Sequence, residues 1–187
     1  MGHLTLANQI TILRIMLIPV FVLLVVYERL GWALLTFLVA GVTDALDGLI
    51  ARWTRQRTSL GAWLDPMADK LLLVTTFIVL TLPGIPLTNH LPLWLTVFVI
   101  SRDVVIVGVV AIISLAVGPR TFTPSAWGKL ATATYIVTSG VVMYYNYLRE
   151  QSLVVDLFVW ASLGVTLVSG VDYFFRLRKL VNQAAQG

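Results

Sequence analysis

The 187-residue chain is 58% hydrophobic and only 12% charged, where an ordinary soluble domain carries roughly 25% charged residues. Too few polar side chains are present to cover a water-facing surface, and with no cysteine the chain has neither a disulfide framework nor a thiolate metal site. A net charge of +4, without a long basic run or a basic helical face, excludes nucleic acid as an expected partner.

A spanning helix needs about 20 mostly apolar residues. The first candidate covers 10–27. It follows a segment with no positive charge beyond His3, carries Arg14 and Pro19, and has no small-residue cleavage site, so it reads as a retained span and not a cleaved signal. Five more candidates follow at 31–51, 66–83, 93–117, 126–148 and 153–175. The connection Pro83-Gly84-Ile85-Pro86 and the segment from Gly118 to Pro124 are turn regions. The expected architecture is all-α: a single membrane domain over 1–187, built as a six-transmembrane-helix bundle.

Orientation follows from the Lys/Arg bias of short loops. Arg52, Arg55 and Arg57 lie between the second and third spans, Arg120 and Lys129 between the fourth and fifth, and Arg176, Arg178 and Lys179 after the sixth. The alternate loops carry only Arg29 and Arg149, each beside a glutamate. Both termini and the Arg52–Arg57 loop are therefore expected in the cytoplasm.

Four of the nine acidic residues cluster at the expected cytoplasmic ends of two spans. Asp44 and Asp47 are three apart, Asp65 and Asp69 four apart, so each pair shares a helix face. Two adjacent helices would direct four carboxylates into one pocket, where their repulsion calls for a cation. Hard oxygen donors without Cys or His favour Mg²⁺ or Mn²⁺, with Ca²⁺ as a substitute. Gly48 and Gly61 allow close approach of a ligand to the backbone. Ala51 keeps the same wall low, and Arg52 offers a planar fork to phosphate oxygens. Pro66 fits the first turn of a helix. Singly, these residues read as interfacial anchors or packing positions, and for Arg55 and Arg57 the anchor reading is preferred. Together, at fixed spacing and bordering a membrane, they are better explained by a ligand.

The pattern Asp-x2-Asp-Gly-x2-Ala-Arg-x8-Gly-x3-Asp-x3-Asp is complete in Asp44, Asp47, Gly48, Ala51, Arg52, Gly61, Asp65 and Asp69. It resembles the signature of the CDP-alcohol phosphatidyltransferase family, and the likeness extends over nearly the whole chain. The resemblance implies a six-span fold with a cytoplasm-facing active site and cytidine nucleotide recognition around Gly48, Ala51, Arg52 and Gly61. It also implies two metal ions held by Asp44, Asp47, Asp65 and Asp69, with Asp69 as the base that deprotonates the acceptor hydroxyl. The implied partners are CDP-diacylglycerol, a lipid or polyol-phosphate acceptor, membrane lipids and a second copy of the chain in a homodimer. A bacterial inner membrane is the expected location.

Three further features bear on the acceptor. Asn8-Gln9-Ile10-Thr11-Ile12-Leu13-Arg14 resembles the start of phosphatidylglycerophosphate synthases and CMP-forming cardiolipin synthases. Arg102 and Asp103, inside the fourth span, are either a mutual pair or place Arg102 as a ligand of the acceptor phosphate. Lys129, in a Gly-Lys segment similar to that of the same relatives, is a second candidate phosphate contact, and Phe122 and Trp127 are candidate borders of a second lipid. Relatives that use glycerol phosphate typically show Ala-Arg-Glu, with a second arginine eight residues after the first. Here the residues are Ser101-Arg102-Asp103 and Val110. That departure resembles cardiolipin synthases, which use phosphatidylglycerol, and one cation fewer suits a phosphodiester. Glycerol 3-phosphate is the alternative acceptor. A cation transporter is the alternative of another class, because intramembrane carboxylates with Arg102 can also line an ion path.

Overall fold

The computed structural model describes the backbone of residues 6–54, 59–117 and 125–184, and side chains over 9–43, 68, 70–108 and 125–176. Six helices account for almost all of it: α1 Leu6–Val26, α2 Leu30–Thr54, α3 Ser59–Thr81, α4 Leu93–Val117, α5 Ala126–Leu148 and α6 Leu153–Ala184. Arg55, Arg57, Arg120 and Phe122, named above on sequence grounds, lie outside the described residues.

The bounds of α4 and α5 coincide with the spans read from the sequence, and the others run longer. α1 starts at Leu6, which puts Arg14 more than two turns into the helix. It is the largest fully buried side chain described, 1% exposed. α3 starts at Ser59, so Pro66 stands inside the helix instead of in its first turn. A proline there removes one donor to the carbonyl four residues back and crowds that carbonyl, and the helix formers that follow, Met67, Ala68 and Lys70 to Leu73, continue α3. α6 runs to Ala184, so Arg176, Arg178 and Lys179 extend the helix beyond the apolar stretch and do not follow it as a loop.

The surface is the apolar side of these helices. Leu13, Met16, Val20 and Leu23 form one exposed face of α1, and Leu157, Trp160, Leu167, Val171 and Phe174 are exposed on α6. The seam that α6 buries runs Val155, Val159, Ser162, Thr166 and Ser169, at alternating spacings of four and three. Three of those five residues are polar. Tyr135 on α5 shares a 2.6 Å hydrogen bond with Thr166, and Thr138 shares one of 2.8 Å with Ser162. Polar residues inside and large apolar residues outside reverse the arrangement of a water-soluble bundle. They suit a lipid solvent, where helices associate through close packing and interhelical hydrogen bonds. Among the described residues, Gln9–Val26 and Leu153–Arg176 are long and apolar enough to cross a membrane.

Contacts divide the chain into two compact units. Unit 1 comprises Met1–His90 and Ser139–Ser152, and within it α1 packs against both α2 and α3. The connection before α4 is fastened in this unit by Asn146. Its Oδ1 accepts from the Asn89 N–H at 2.8 Å, and its amide donates to the Asn89 carbonyl at 2.9 Å. Unit 2 comprises Leu91–Thr138 and Leu153–Gly187, and α4 packs on α6 within it.

Helix ends show how local sequence closes each element. Ser125 caps α5 by accepting the Gly128 N–H on its Oγ at 2.9 Å. Ser125→Ala is expected to lower stability by about 1 kcal/mol, read as a fall in the thermal midpoint of the purified protein; an unchanged midpoint would refute the cap. α1 and α5 end in Schellman turns. The Glu28 and Arg149 N–H groups bond three residues back, to Val25 and Asn146, and the Arg29 and Glu150 N–H groups bond five back, to Leu24 and Tyr145. The pivotal residue of such a turn adopts positive φ and is usually glycine. Here it is Glu28 at 56° and Arg149 at 57°, each strained by roughly 1 kcal/mol relative to glycine.

Candidate active site

α2 carries Asp44, Asp47, Gly48, Ala51 and Arg52, and α3 carries Gly61, Asp65 and Asp69. Their backbone is helical throughout, so the three- and four-residue spacings place each aspartate pair on one face of its helix. Both helices belong to unit 1 and both pack on α1, which keeps the two halves of the pattern in one body. The side chains of these eight residues lie outside the described ones. The donor set fits a hard divalent ion: four carboxylates on two helices that each pack on α1, with no softer ligand among them. α1 also brings the buried Arg14 guanidinium into this unit. A cation inside an apolar bundle is costly unless negative charge accompanies it.

Unit 2 holds the second group of candidates. Arg102 on α4 is only 11% exposed at its side chain, and its Nη1 donates to Asp103 Oδ1 at 2.7 Å. Its Nη2 donates to Ser169 Oγ on α6, and the guanidinium lies 5.6 Å from the centre of the Tyr173 ring, a cation–π distance. The start of α5 closes the cluster. A Cβ built on Gly128 would lie 3.3 Å from Arg102 Nη2 and 3.5 Å from the Tyr173 ring, so glycine leaves room for the guanidinium. The Arg102–Asp103 pair expected as the plainer reading is therefore present. It does not use up the arginine: the buried Nε–H has no partner among the described residues. Lys129, next to Gly128 in the first turn of α5, is exposed.

Ser169 and Tyr173 escaped sequence reading. Ser169 is 67 residues from Arg102, and neither residue belongs to a recognisable motif. The one available signal is periodic: Ser162, Thr166 and Ser169 repeat at helical spacing in a mostly apolar span, which marks a polar seam.

The model of the CDP-alcohol phosphatidyltransferase family matches residues 4–168 of the chain, a stretch that contains the whole aspartate pattern, Arg102 and Lys129 and stops just before Ser169. Among curated relatives, a Mycobacterium tuberculosis protein named "Probable phosphatidylglycerophosphate synthase" is 35% identical over 182 residues, covering 91% of this chain and 80% of the relative. The Streptomyces coelicolor "Cardiolipin synthase (CMP-forming)" is 32% identical over 188 residues, covering 95% and 85%. The Bacillus subtilis "CDP-diacylglycerol--glycerol-3-phosphate 3-phosphatidyltransferase" is 30% identical over 187 residues, covering 90% and 93%. Membership of a transferase family sets aside the transporter alternative. With the family model over most of its length and relatives matched nearly end to end, the chain belongs to the CDP-alcohol phosphatidyltransferase family and is a membrane-associated enzyme of phospholipid synthesis.

Proposed function

We propose that the enzyme transfers the phosphatidyl group of CDP-diacylglycerol to phosphatidylglycerol, forming cardiolipin and releasing CMP. The observation that carries the transfer chemistry is the complete eight-residue pattern on two helices packed against the same third helix. Asp44, Asp47, Asp65 and Asp69 would hold two Mg²⁺ or Mn²⁺ ions, which when bound supply positive charge against the diphosphate and the departing CMP. Gly48, Ala51 and Gly61 leave space for the cytidine nucleotide, and Arg52 binds its phosphate oxygens. Asp69 takes the proton of the acceptor hydroxyl. The acceptor oxygen then bonds to the lipid-linked phosphorus as the bond from that phosphorus to the CMP oxygen breaks.

The reading places six spans in a bacterial inner membrane, with both termini and the site towards the cytoplasm, as the Lys/Arg distribution favours. The donor's acyl chains stay in the bilayer while the nucleotide enters from water.

The local charge around Arg102 supports phosphatidylglycerol as the acceptor. An acid beside the arginine is common to both acceptor classes, but Val110 supplies no second cation, and a singly charged phosphodiester needs less compensation than a monoester nearing two charges. Arg102 contacts that phosphate through N–H donors that Asp103 and Ser169 leave free, and exposed Lys129 adds a second contact. Arg102→Gln is expected to raise KM for the acceptor by about 10- to 100-fold, the range of a lost charge-assisted hydrogen bond, with KM for CDP-diacylglycerol unchanged. Equal effects on both constants would remove Arg102 from acceptor binding. Release of CMP with glycerol 3-phosphate but not phosphatidylglycerol would favour the other acceptor, which the relatives' names also include.

A further inference from the structure

Unit 1 contains a groove of about 610 Å³ formed where α1 ends, α2 begins and α5 ends. Glu28, Arg29, Gly31, Trp32, Tyr147 and Arg149 are among its lining residues. We propose that this groove binds the headgroup phosphodiester of an anionic membrane phospholipid, at a site separate from the aspartate pattern.

Charge comes first. Two arginines and one glutamate give the lining a net charge of +1 (two minus one). Arg29 makes no ion pair among the described residues. Arg149 reaches Glu28 only at 3.8 Å, and the two side chains are 71% and 51% exposed. Such a long, open pair holds neither partner firmly, so both guanidinium forks remain available to phosphate oxygens.

The backbone supports the same conclusion. Glycine would satisfy the left-handed turn at 28 and at 149 without strain, yet both positions carry charged side chains that project beside the groove. Strain kept at 149, where the side chain is a guanidinium lining the cavity, points to a use for Arg149 beyond ending α5; Glu28 faces it and keeps that guanidinium at the groove. The wall is shaped to match. A Cβ on Gly31 would stand 3.0 Å from the Tyr147 ring, so the missing side chain lets that ring lie against the start of α2.

The groove lies at the ends of apolar helices, where a spanning segment meets the headgroup layer, and Trp32 and Tyr147 are more than half exposed there. Aromatic side chains of this kind settle at that depth. Basic residues at a bilayer surface attract anionic headgroups over zwitterionic ones. Nothing in this site depends on which lipid the enzyme turns over.

The test uses the purified full-length chain in detergent. The probe is diacyl phosphatidylmethanol, an anionic phosphodiester with no hydroxyl to act as acceptor; phosphatidylcholine is the comparison, and bound lipid is counted by native mass spectrometry. The wild-type protein should bind phosphatidylmethanol about five-fold more tightly than phosphatidylcholine, and excess CMP should not displace it. Arg29→Gln with Arg149→Gln should lose that binding by about ten-fold or more while CMP release from CDP-diacylglycerol, measured in micelles free of the probe, stays unchanged. Arg149→Gly guards against misfolding: it relieves the strained turn, should melt no lower than wild type, and should still lose several-fold in affinity. Undiminished binding in the double variant or in Arg149→Gly would overturn the proposal. Equal affinity for phosphatidylcholine, or displacement by CMP, would do the same.

Discussion

Asp69→Asn should cut turnover by about 10²- to 10⁴-fold while metal-dependent binding of CMP survives. The substitution keeps the shape and one oxygen of the side chain but removes its capacity to accept a proton. A positioned general base contributes typically about 10²- to 10⁴-fold to rate, and kcat should fall by that amount. The remaining carboxylates, Asp44, Asp47 and Asp65, still offer three anionic donors to the ions that hold the diphosphate. Isothermal titration of CMP in the presence of Mn²⁺ reads the binding arm, and release of CMP from the donor lipid reads the catalytic arm. Near-normal turnover in Asp69→Asn would refute the base assignment. Loss of both functions together would make Asp69 a ligand first and a base second.

Asp44→Asn or Asp65→Asn should damage both arms at once. Each begins one of the two acidic pairs, Asp44 on α2 and Asp65 on α3, and a neutral amide in either place weakens the charge that draws a divalent ion to the pocket. Even outer-shell partners of a metal contribute about 10- to 100-fold to affinity or activity, so loss of a direct ligand should reach at least the upper end of that range. Nucleotide affinity should fall with metal affinity, because the diphosphate is held through the same charge. Excess Mn²⁺ should restore part of the binding. Retention of tight CMP binding without added metal would show that the aspartates serve the nucleotide by some other route.

The fold was legible where hydropathy alone decides it. α4 and α5 match their apolar runs residue for residue because Pro83–Pro92 and the Gly118–Pro124 segment punctuate them strongly. On sequence α3 starts at Pro66, a residue that favours helix starts, whereas in the structure Ser59–Leu64 already forms helix ahead of it. α6 outruns its apolar span of 153–175 for the opposite reason. Its basic end is too polar for a span, but helix formation there does not require a hydrophobic run.

The candidate site divides in the same way. The aspartate pattern is local, two short segments at fixed spacing, and could be read directly. Arg102 was visible as a charge in an apolar helix, but its setting was not. Ser169, Tyr173 and Gly128 meet it only through the packing of α4, α5 and α6, and no single-sequence rule pairs residues so far apart. The same holds for the groove beside Glu28 and Arg149, which joins the ends of α1 and α5 across more than half the chain.

The most direct test of the central claim is CMP release by the purified protein from CDP-diacylglycerol with Mg²⁺ or Mn²⁺, with phosphatidylglycerol and glycerol 3-phosphate supplied in separate reactions. Metal-dependent release is expected with phosphatidylglycerol, and none above background with glycerol 3-phosphate. Release with glycerol 3-phosphate alone would contradict the claim, and would mean that the Arg102–Asp103 pair and Val110 do not select the acceptor.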